Sequence, residues 1–198
     1  SGSCTTGHRF MAPDYFTVKD FEDYKLKLRN AFVILDNRER SEIILNDANN
    51  LAFANGLDLI NDDALLEEVS GLVEWPVTLL GKVDNEFLDL PSEVLRASMK
   101  EHQKFFSLKN PKTEKIERFI TVANIESADN GATILEGNQK VLYARLSDAK
   151  FFWENDLRLI QKDGLDTWLE KLKNVTFHNK LGSQADKILR ISALTKKL

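Results

Sequence analysis

The sequence RFITVANI, at residues 118–125, carries the pattern on which the fold prediction rests. The stretch is rich in aromatic and β-branched residues, which fit the pleated surface of a sheet. It therefore predicts a β-strand. A second strand is predicted over residues 73–79, where apolar and polar side chains alternate. Pro76 has no amide hydrogen to donate, so we expect this second strand to lie at a sheet edge or to carry a bulge.

Around these two strands the patterning is mostly helical. Thr17 is a candidate cap for a first helix, and Gly56 is a favoured residue just beyond the end of a second. The remaining helices are predicted over 62–69, 90–104, 135–155, 165–175 and 184–198. Few strands among many helices predict an α+β fold with a small sheet. We expect a domain boundary near residues 158–165, with only helices beyond it.

The bulk composition is that of a globular protein: 198 residues, 42% hydrophobic and 29% charged. The formal net charge is −4, which argues against extensive RNA binding but leaves room for local basic stripes. Cys4 is the single cysteine and cannot form an internal disulfide, so a reducing cytoplasm is expected. The sequence contains no run of 18 apolar residues, so we predict no membrane span. The last helical pattern has no Gly or Pro stop, so we expect the natural chain to continue.

The motifs that usually announce catalysis are missing from the sequence. It contains no GxxxxGK[ST] or GxGxxG phosphate loop, no CxxC pair, no HExxH helix and no GxSxG elbow. We therefore predict no catalytic residue, no metal site and no cofactor within this chain.

A basic stripe is the strongest candidate for a nucleic-acid contact. Arg96, Lys100 and Lys104 follow one another at four-residue steps on a predicted helix. Such a stripe is about 12 Å long and could follow two or three phosphates. The alternative is a solvated helix face, partly neutralised by Glu93 and Glu101. The sequence leaves both open.

His8 and Arg9 are weaker candidates for a pocket. A histidine beside an arginine could bind a phosphate or a carboxylate. The alternative is a structural turn packed by Phe10.

Three more polar residues are weak pocket candidates. His102 borders the apolar face of its predicted helix, where a partly buried, hydrogen-bonded histidine is expected. Arg118 and Asn124 flank the strand over 118–125, where they could serve a site or make ordinary turn and cap bonds.

An aromatic cluster, Phe151-Phe152-Trp153, lies on the long predicted helix. The charges that follow it are acidic, and bases stack on aromatics interleaved with positive charge. We interpret the cluster as core or as a subunit contact.

Six ordered stretches together resemble the beta subunit of bacterial glycyl-tRNA synthetase. They are GHRF at 7–10, LLEEVSGLVEWPVTLLGKVD at 65–84, LPSEVLRASMKEHQKFF at 90–106, RFITVANIES at 118–127, EGNQKVLYARLSDAKFFWENDL at 136–157 and KLKNVTFHNKLGS at 171–183. The resemblance implies an internal piece of a much longer subunit. Residues 1–157 are similar to the B3/B4 module known from phenylalanyl-tRNA synthetase. Residues 158–198 are similar to the start of a helical HD-like domain.

The resemblance also implies a function. Members of the family work as an alpha2beta2 heterotetramer in the cytoplasm, and the alpha subunit binds glycine and ATP with magnesium. The implied partners are the alpha subunit, tRNA(Gly) and the remainder of the beta subunit. We expect this piece to be a non-catalytic scaffold or tRNA-positioning segment. The alternatives are a pure assembly module and an editing hydrolase; glycine is the smallest amino acid, so its enzyme has little need of editing.

Overall fold

The computed structural model describes residues 2–197, apart from the side chain of Asp163. The chain forms two compact units, and the boundary between them falls between Lys150 and Phe151. The mixture of helices and small antiparallel sheets confirms the predicted α+β class. The boundary expected between residues 157 and 158 stays a prediction.

The first unit contains two short N-terminal strands, a four-stranded sheet and the helices around it. Its elements are β1 (Cys4–Thr6), β2 (Tyr15–Thr17), α1 (Phe21–Asn30), α2 (Asn37–Ala54), β3 (Asp58–Leu59), α3 (Asp63–Leu72), β4 (Val77–Lys82), α4 (Ser92–Gln103), β5 (Phe106–Lys109), β6 (Ile116–Ala123) and the start of α5 (Ala132–Lys171). Helix α5 is interrupted at Gly164, whose φ of 71° and ψ of 174° are not helical.

The main sheet is antiparallel, with strand order β3-β5-β6-β4. Strand β6 is the stretch predicted first, and Ile120 pairs with Leu80 on one side and Phe106 on the other. Strand β4 lies at an edge, and Pro76 immediately precedes it. The expectation that the proline-containing segment lies at an edge is confirmed, although the strand begins four residues later than predicted.

The core lies between α2, α3 and one face of this sheet. Its central side chains are those of Ile44, Ala48, Ala52, Leu57, Leu65, Val69, Val73, Phe106, Leu108 and Ile120. Neighbouring strand residues point to opposite faces, so Phe119 faces away from this cluster. It is also fully buried, and its ring stacks on Phe105 with centroids 4.5 Å apart. Both faces of β6 are therefore packed.

The first helix begins later than predicted. Thr17 does not cap it, because that residue pairs with Cys4 as the last residue of β2. Asp20 is the cap, and its Oδ1 accepts a hydrogen bond from the amide of Asp23 at 2.8 Å. The predicted end of α2 is confirmed, since Gly56 follows that helix with a φ of 67°.

The second unit is not purely helical, which corrects the prediction for residues 158–198. Strands β7 (Thr176–His178) and β8 (Gly182–Ser183) form a hairpin before helix α6 (Gln184–Thr195). Gly182 has a φ of 81°, which fits the turn, and Ser183 and Asp186 form a capping box that starts α6. No residue between 151 and 197 is buried, among those whose side chains the structure describes.

No helix within residues 2–197 combines the length and the apolar character needed to cross a bilayer. Over the same described part of the chain, no group of three or more His, Cys, Asp or Glu side chains is placed to hold a metal ion.

Candidate functional site

His8 and Asn124 form the tightest polar cluster among the predicted site residues. His8 is only 1% exposed, and its Nε2 lies 2.6 Å from the backbone oxygen of Asn124. The Oδ1 of Asn124 in turn accepts hydrogen bonds from the amides of Glu74 (2.7 Å) and Trp75 (2.9 Å). One asparagine therefore joins the N-terminal segment, the approach to β4 and the end of β6.

The hydrogen bonds of His8 define its tautomer. Its Nδ1 accepts from the amides of Phe10 (3.3 Å) and Met11 (3.2 Å), so this nitrogen carries no proton. The proton is therefore on Nε2, which donates to the carbonyl of Asn124. Both ring nitrogens make hydrogen bonds with backbone atoms. This geometry supports a structural role for His8 and not the binding of a phosphate or a carboxylate.

The backbone beside His8 is packed too closely for a side chain at Gly7. A Cβ at that position would lie 2.3 Å from the Cβ of Ala31 and 2.7 Å from its backbone oxygen. The amide of His8 bonds to the same carbonyl at 2.8 Å. The glycine lets the N-terminal segment approach the end of α1.

Arg9 and Arg118, two other weak pocket candidates, take no part in the hydrogen bonds of this cluster. Arg9 is exposed, and its guanidinium carbon lies 5.5 Å from the centroid of the Phe10 ring. Arg118 is half-buried on β6, six residues from Asn124 and therefore about 20 Å along the strand.

His102 is exposed, and the expectation of a partly buried histidine is wrong. The helix ends one residue later, at Gln103, and the chain turns through Lys104 with a φ of 56°. The side chains buried at this end are those of Phe105 and Phe106. The turn brings these two rings into the core, and its position was not evident from helical spacing.

The basic stripe is partly neutralised by acidic residues around α3. Lys100 Nζ lies 2.6 Å from Oδ2 of Asp62, and Lys104 Nζ lies 2.8 Å from Oε1 of Glu68. Asp62 also caps α3 through the amide of Leu65 at 3.0 Å. The hydrogen bond from Lys100 is the main cause that lowers the pKa of Asp62.

Helix α4 carries only part of the predicted stripe. Arg96 is exposed and Lys100 half-buried on the helix, whereas Lys104 lies just beyond it in a left-handed conformation. The helical spacing that placed all three on one line is therefore lost at the third residue. Their contact with tRNA stays a prediction.

A cleft of about 430 Å³ lies between the short turn at 85–87 and the first part of α5. Tyr143 meets the buried ring of Phe87 edge-on at 5.2 Å, and Lys82 and Asp84 also line the cleft. A hydrogen bond with Glu86 raises the pKa of Tyr143. Sequence reasoning missed this cleft, because the residues on its two sides are 49 to 64 positions apart in the chain.

Comparison with known proteins identifies the family of this chain. The profile of the family described as glycyl-tRNA synthetase beta subunit matches residues 1–198. The chain belongs to the glycyl-tRNA synthetase beta subunit family. This confirms the family that the six ordered stretches indicated.

Curated members of the glycyl-tRNA synthetase beta subunit family are similar over essentially the whole chain. The glycine–tRNA ligase beta subunit of Ruegeria sp. (strain TM1040) is 66% identical over 199 residues, which cover 100% of this chain and 29% of that protein. The corresponding subunit of Cereibacter sphaeroides (strain ATCC 17029 / ATH 2.4.9) is 60% identical, with 100% and 28% covered. That of Rhodospirillum centenum is 50% identical, with 98% and 26% covered. The chain thus spans under a third of the length of these relatives.

Within this glycyl-tRNA synthetase beta subunit segment, basic residues are concentrated near the end of the sequence. Residues 171–197 hold seven Lys and Arg residues and one acidic residue, Asp186. No motif marks these residues, because they are spread over a hairpin and a helix and share no single spacing. A count of charge in a sliding window would have found them.

Proposed function

We propose that this chain is a non-catalytic scaffold and tRNA-positioning segment of the beta subunit of glycine–tRNA ligase. The whole enzyme joins glycine to tRNA(Gly) with cleavage of ATP to AMP and pyrophosphate, in the cytoplasm, as an alpha2beta2 heterotetramer. In this proposal the alpha subunit binds ATP with magnesium and glycine. This segment contributes no cofactor site of its own and works with the alpha subunit, tRNA(Gly) and the remainder of the beta subunit.

The observation that carries the scaffold role is the use of His8 and Asn124. These are the polar groups best placed for a site, and their hydrogen bonds go to backbone atoms of three distant segments. A general base or nucleophile needs an atom that is free to face a substrate. Neither ring nitrogen of His8 has that freedom, so the hydrogen bonds of this cluster favour a structural role over an editing reaction.

The test measures hydrolysis of mischarged tRNA by the purified 198-residue chain. We expect alanyl-tRNA(Gly) to be deacylated no faster than with heat-inactivated protein. A deacylation rate above that control, abolished by Asn124→Ala while the protein stays folded, would establish the editing alternative. In the whole ligase, the scaffold role predicts that His8 variants lower activity only in proportion to the loss of folded enzyme.

The organisation of the second unit supports a domain that extends beyond this chain. No described side chain between 151 and 197 is buried, yet α6 carries large apolar residues such as Leu189 (67% exposed) and Leu194 (62% exposed). A unit with no buried side chain has no core of its own to stabilise it. We infer that residues 158–198 belong to a larger helical domain, as the resemblance to an HD-like domain implies, and that residues 1–157 form the B3/B4-like module.

Assembly is a second candidate function, favoured by the aromatic cluster on α5. Phe151 is 68% exposed and Phe152 is 62% exposed, and their rings meet edge-on at 5.6 Å. Neighbouring exposed aromatic side chains are typical of contact surfaces. These residues would then hold the alpha subunit or another part of the beta subunit.

The assembly role is tested in the whole ligase with Phe151→Ser/Phe152→Ser. Because both side chains are exposed, we expect the beta subunit to fold normally but to retain less alpha subunit during co-purification. Phe53→Ser is the matched control, since Phe53 is 88% exposed on a different helix. Equal recovery of alpha subunit with both variants would remove the support for this role.

A further inference from the structure

Strand β4 forms an open edge of the main sheet. The strand order is β3-β5-β6-β4, so β4 pairs with β6 on one side and with no described strand on the other. At the opposite edge, β3 is only two residues long, which leaves little backbone for a further strand to pair with. Strand β4 is six residues long, and it is therefore the edge of this sheet that could accept another strand.

The pairing register shows which backbone groups of β4 face outward. The amide of Val83, just beyond the strand, donates to the carbonyl of Glu117 at 3.0 Å. In an antiparallel pair, residues that exchange hydrogen bonds alternate with residues whose N–H and C=O groups point away from the partner strand. Counting back from Val83, every second residue bonds to β6. The residues between them, whose backbone groups point outward, are Thr78, Leu80 and Lys82.

These outward groups have almost no partner within residues 2–197. The carbonyl of Lys82 accepts a hydrogen bond from Nε2 of Gln139 at 3.4 Å, beyond the usual range of about 2.7–3.2 Å. No backbone group of the described chain bonds to the outward N–H and C=O groups of Thr78 and Leu80. Pro76, two positions before Thr78, has no N–H to offer. We call the outward backbone groups of residues 78–82 the β4 edge.

The side chains of β4 do little to protect this edge. Proteins commonly place a charged side chain or a proline within an open edge strand, because a long unprotected edge pairs with other chains. Here the proline precedes the strand and the only charge is that of Lys82, its last residue. The residues before it, VTLLG at 77–81, are uncharged. We therefore expect the β4 edge to be covered in the assembled protein.

The cleft beside α5 lies at the end of the β4 edge. Lys82 lines the cleft on the side of the strand, and Tyr143 lines it on the side of α5. Three buried apolar side chains also line it, those of Phe87, Leu142 and Leu146. When an extended peptide adds to a sheet edge, main-chain hydrogen bonds provide affinity and pockets for alternate side chains provide specificity. The β4 edge and this cleft of about 430 Å³ offer both features.

We propose that an extended strand from another part of the beta subunit pairs with the β4 edge and places a large apolar side chain in the cleft. The occupant belongs to the same subunit, because this chain covers only 29% of the Ruegeria sp. subunit and most of that polypeptide lies outside it. A segment of the same polypeptide has a high effective concentration at the edge, so it pairs there ahead of a separate chain. This pairing extends beyond the scaffold role and does not depend on it.

Amide hydrogen exchange of the whole ligase tests the pairing, with fragmentation that resolves single residues of β4. The amides of Leu80 and Lys82 face outward, whereas those of Leu79 and Gly81 bond to β6 and serve as controls within the same strand. The readout is the ratio of outward to inward exchange rates. A general change in stability alters both rates and so does not count as a change at the edge.

We expect the outward and inward amides of β4 to exchange at rates within about tenfold of each other, because both sets are hydrogen-bonded in the whole ligase. An open edge would leave the outward amides at least about a hundredfold faster than the inward ones. That result would overturn the pairing.

Photochemical cross-linking in the whole ligase identifies the occupant. The variant Tyr143→p-benzoylphenylalanine places a reactive ring in the cleft. The matched control is Tyr15→p-benzoylphenylalanine, since Tyr15 is 80% exposed on β2 and does not line the cleft. We expect the Tyr143 variant, and not the control, to cross-link within one beta subunit to a peptide outside these 198 residues.

The other cross-linking outcomes each contradict part of the proposal. A cross-link to the alpha subunit, or between isotopically light and heavy beta subunits mixed before assembly, overturns the choice of occupant. The same products from the Tyr143 and Tyr15 variants, or none outside the 198 residues, overturn the use of the cleft. Deacylation of mischarged tRNA is measured separately, so the scaffold role and the strand pairing can fail independently.

Discussion

The Nε2 atom of His8 donates a hydrogen bond to the backbone oxygen of Asn124, 116 positions further along the chain, at 2.6 Å. The histidine is buried, and its other ring nitrogen accepts from the amides of Phe10 and Met11. The contact fixes the N-terminal segment against the end of the central strand β6. The stability of the first unit should therefore depend on this one side chain.

Replacement of His8 by alanine is expected to lower the free energy of unfolding by about 2–4 kcal/mol, because it leaves buried backbone groups without partners and opens a cavity. Urea unfolding followed by circular dichroism measures the change. His102→Ala is the control, since His102 is exposed, and it should change the free energy by less than about 0.5 kcal/mol. Equal effects of the two variants would contradict the structural role of His8.

The side chain of Asn124 gives a second prediction. Asn124→Ala removes the acceptor for the amides of Glu74 and Trp75, and we expect a loss of about 1–3 kcal/mol in the free energy of unfolding. Asn124→Asp keeps an acceptor oxygen in the same place and should retain most of that stability at neutral pH. Thermal or urea unfolding of both variants compares them. If aspartate is no better than alanine, the two amide bonds do not account for the role of this residue.

The local sequence predicted β6 and the main helices because each has a strong pattern of its own. It did not predict β3 or β5, which are two and four residues long and too short to show alternation. The prediction of Thr17 as the cap of α1 failed because Thr17 pairs with Cys4, a contact between separate parts of the chain. The hairpin at 176–183 was missed because its strands are equally short.

In the candidate site, too, the features carried by neighbouring residues were predictable, and the contacts between distant residues were not. His8 and Asn124 were each noticed as polar residues in suggestive places, but nothing local linked them across 116 positions. The pairing of Lys100 with Asp62 could not be inferred either, since it depends on how α4 lies beside the start of α3. Charge composition, in contrast, is local, and the excess of basic residues over 171–197 could have been found from the sequence.

The carboxylate of Asp62 should titrate at lower pH than an ordinary aspartate. The hydrogen bond from Lys100 lowers its pKa below 3.8, against the opposing effect of burial. A carboxylate with a lowered pKa in the folded state stabilises the fold at neutral pH. That contribution declines as the pH falls below about 3.8 toward the lower folded value.

Carboxyl NMR of the 198-residue chain measures this titration directly. We expect the midpoint of Asp62 below 3.8, and an upward shift in Lys100→Gln. The control is Arg38→Gln, which removes an exposed cation on α2 and should leave the midpoint of Asp62 in place. A midpoint that does not respond to Lys100→Gln would show that the ion pair is absent in solution.

The remaining prediction tests whether the α4 stripe contacts tRNA in the whole ligase. Lys104 is paired with Glu68, and Lys100 with Asp62, whereas Arg96 is exposed on the same helix. A cation already paired with a carboxylate gains less from a phosphate, because the existing pair must first be given up. Arg96→Gln should therefore raise the KM for tRNA by roughly threefold to tenfold and reduce the magnitude of the salt slope by about 1. Lys104→Gln is the matched control and should change KM by less than about twofold. Aminoacylation at several salt concentrations separates the outcomes. If neither variant alters the KM or its salt dependence, α4 does not contact phosphate.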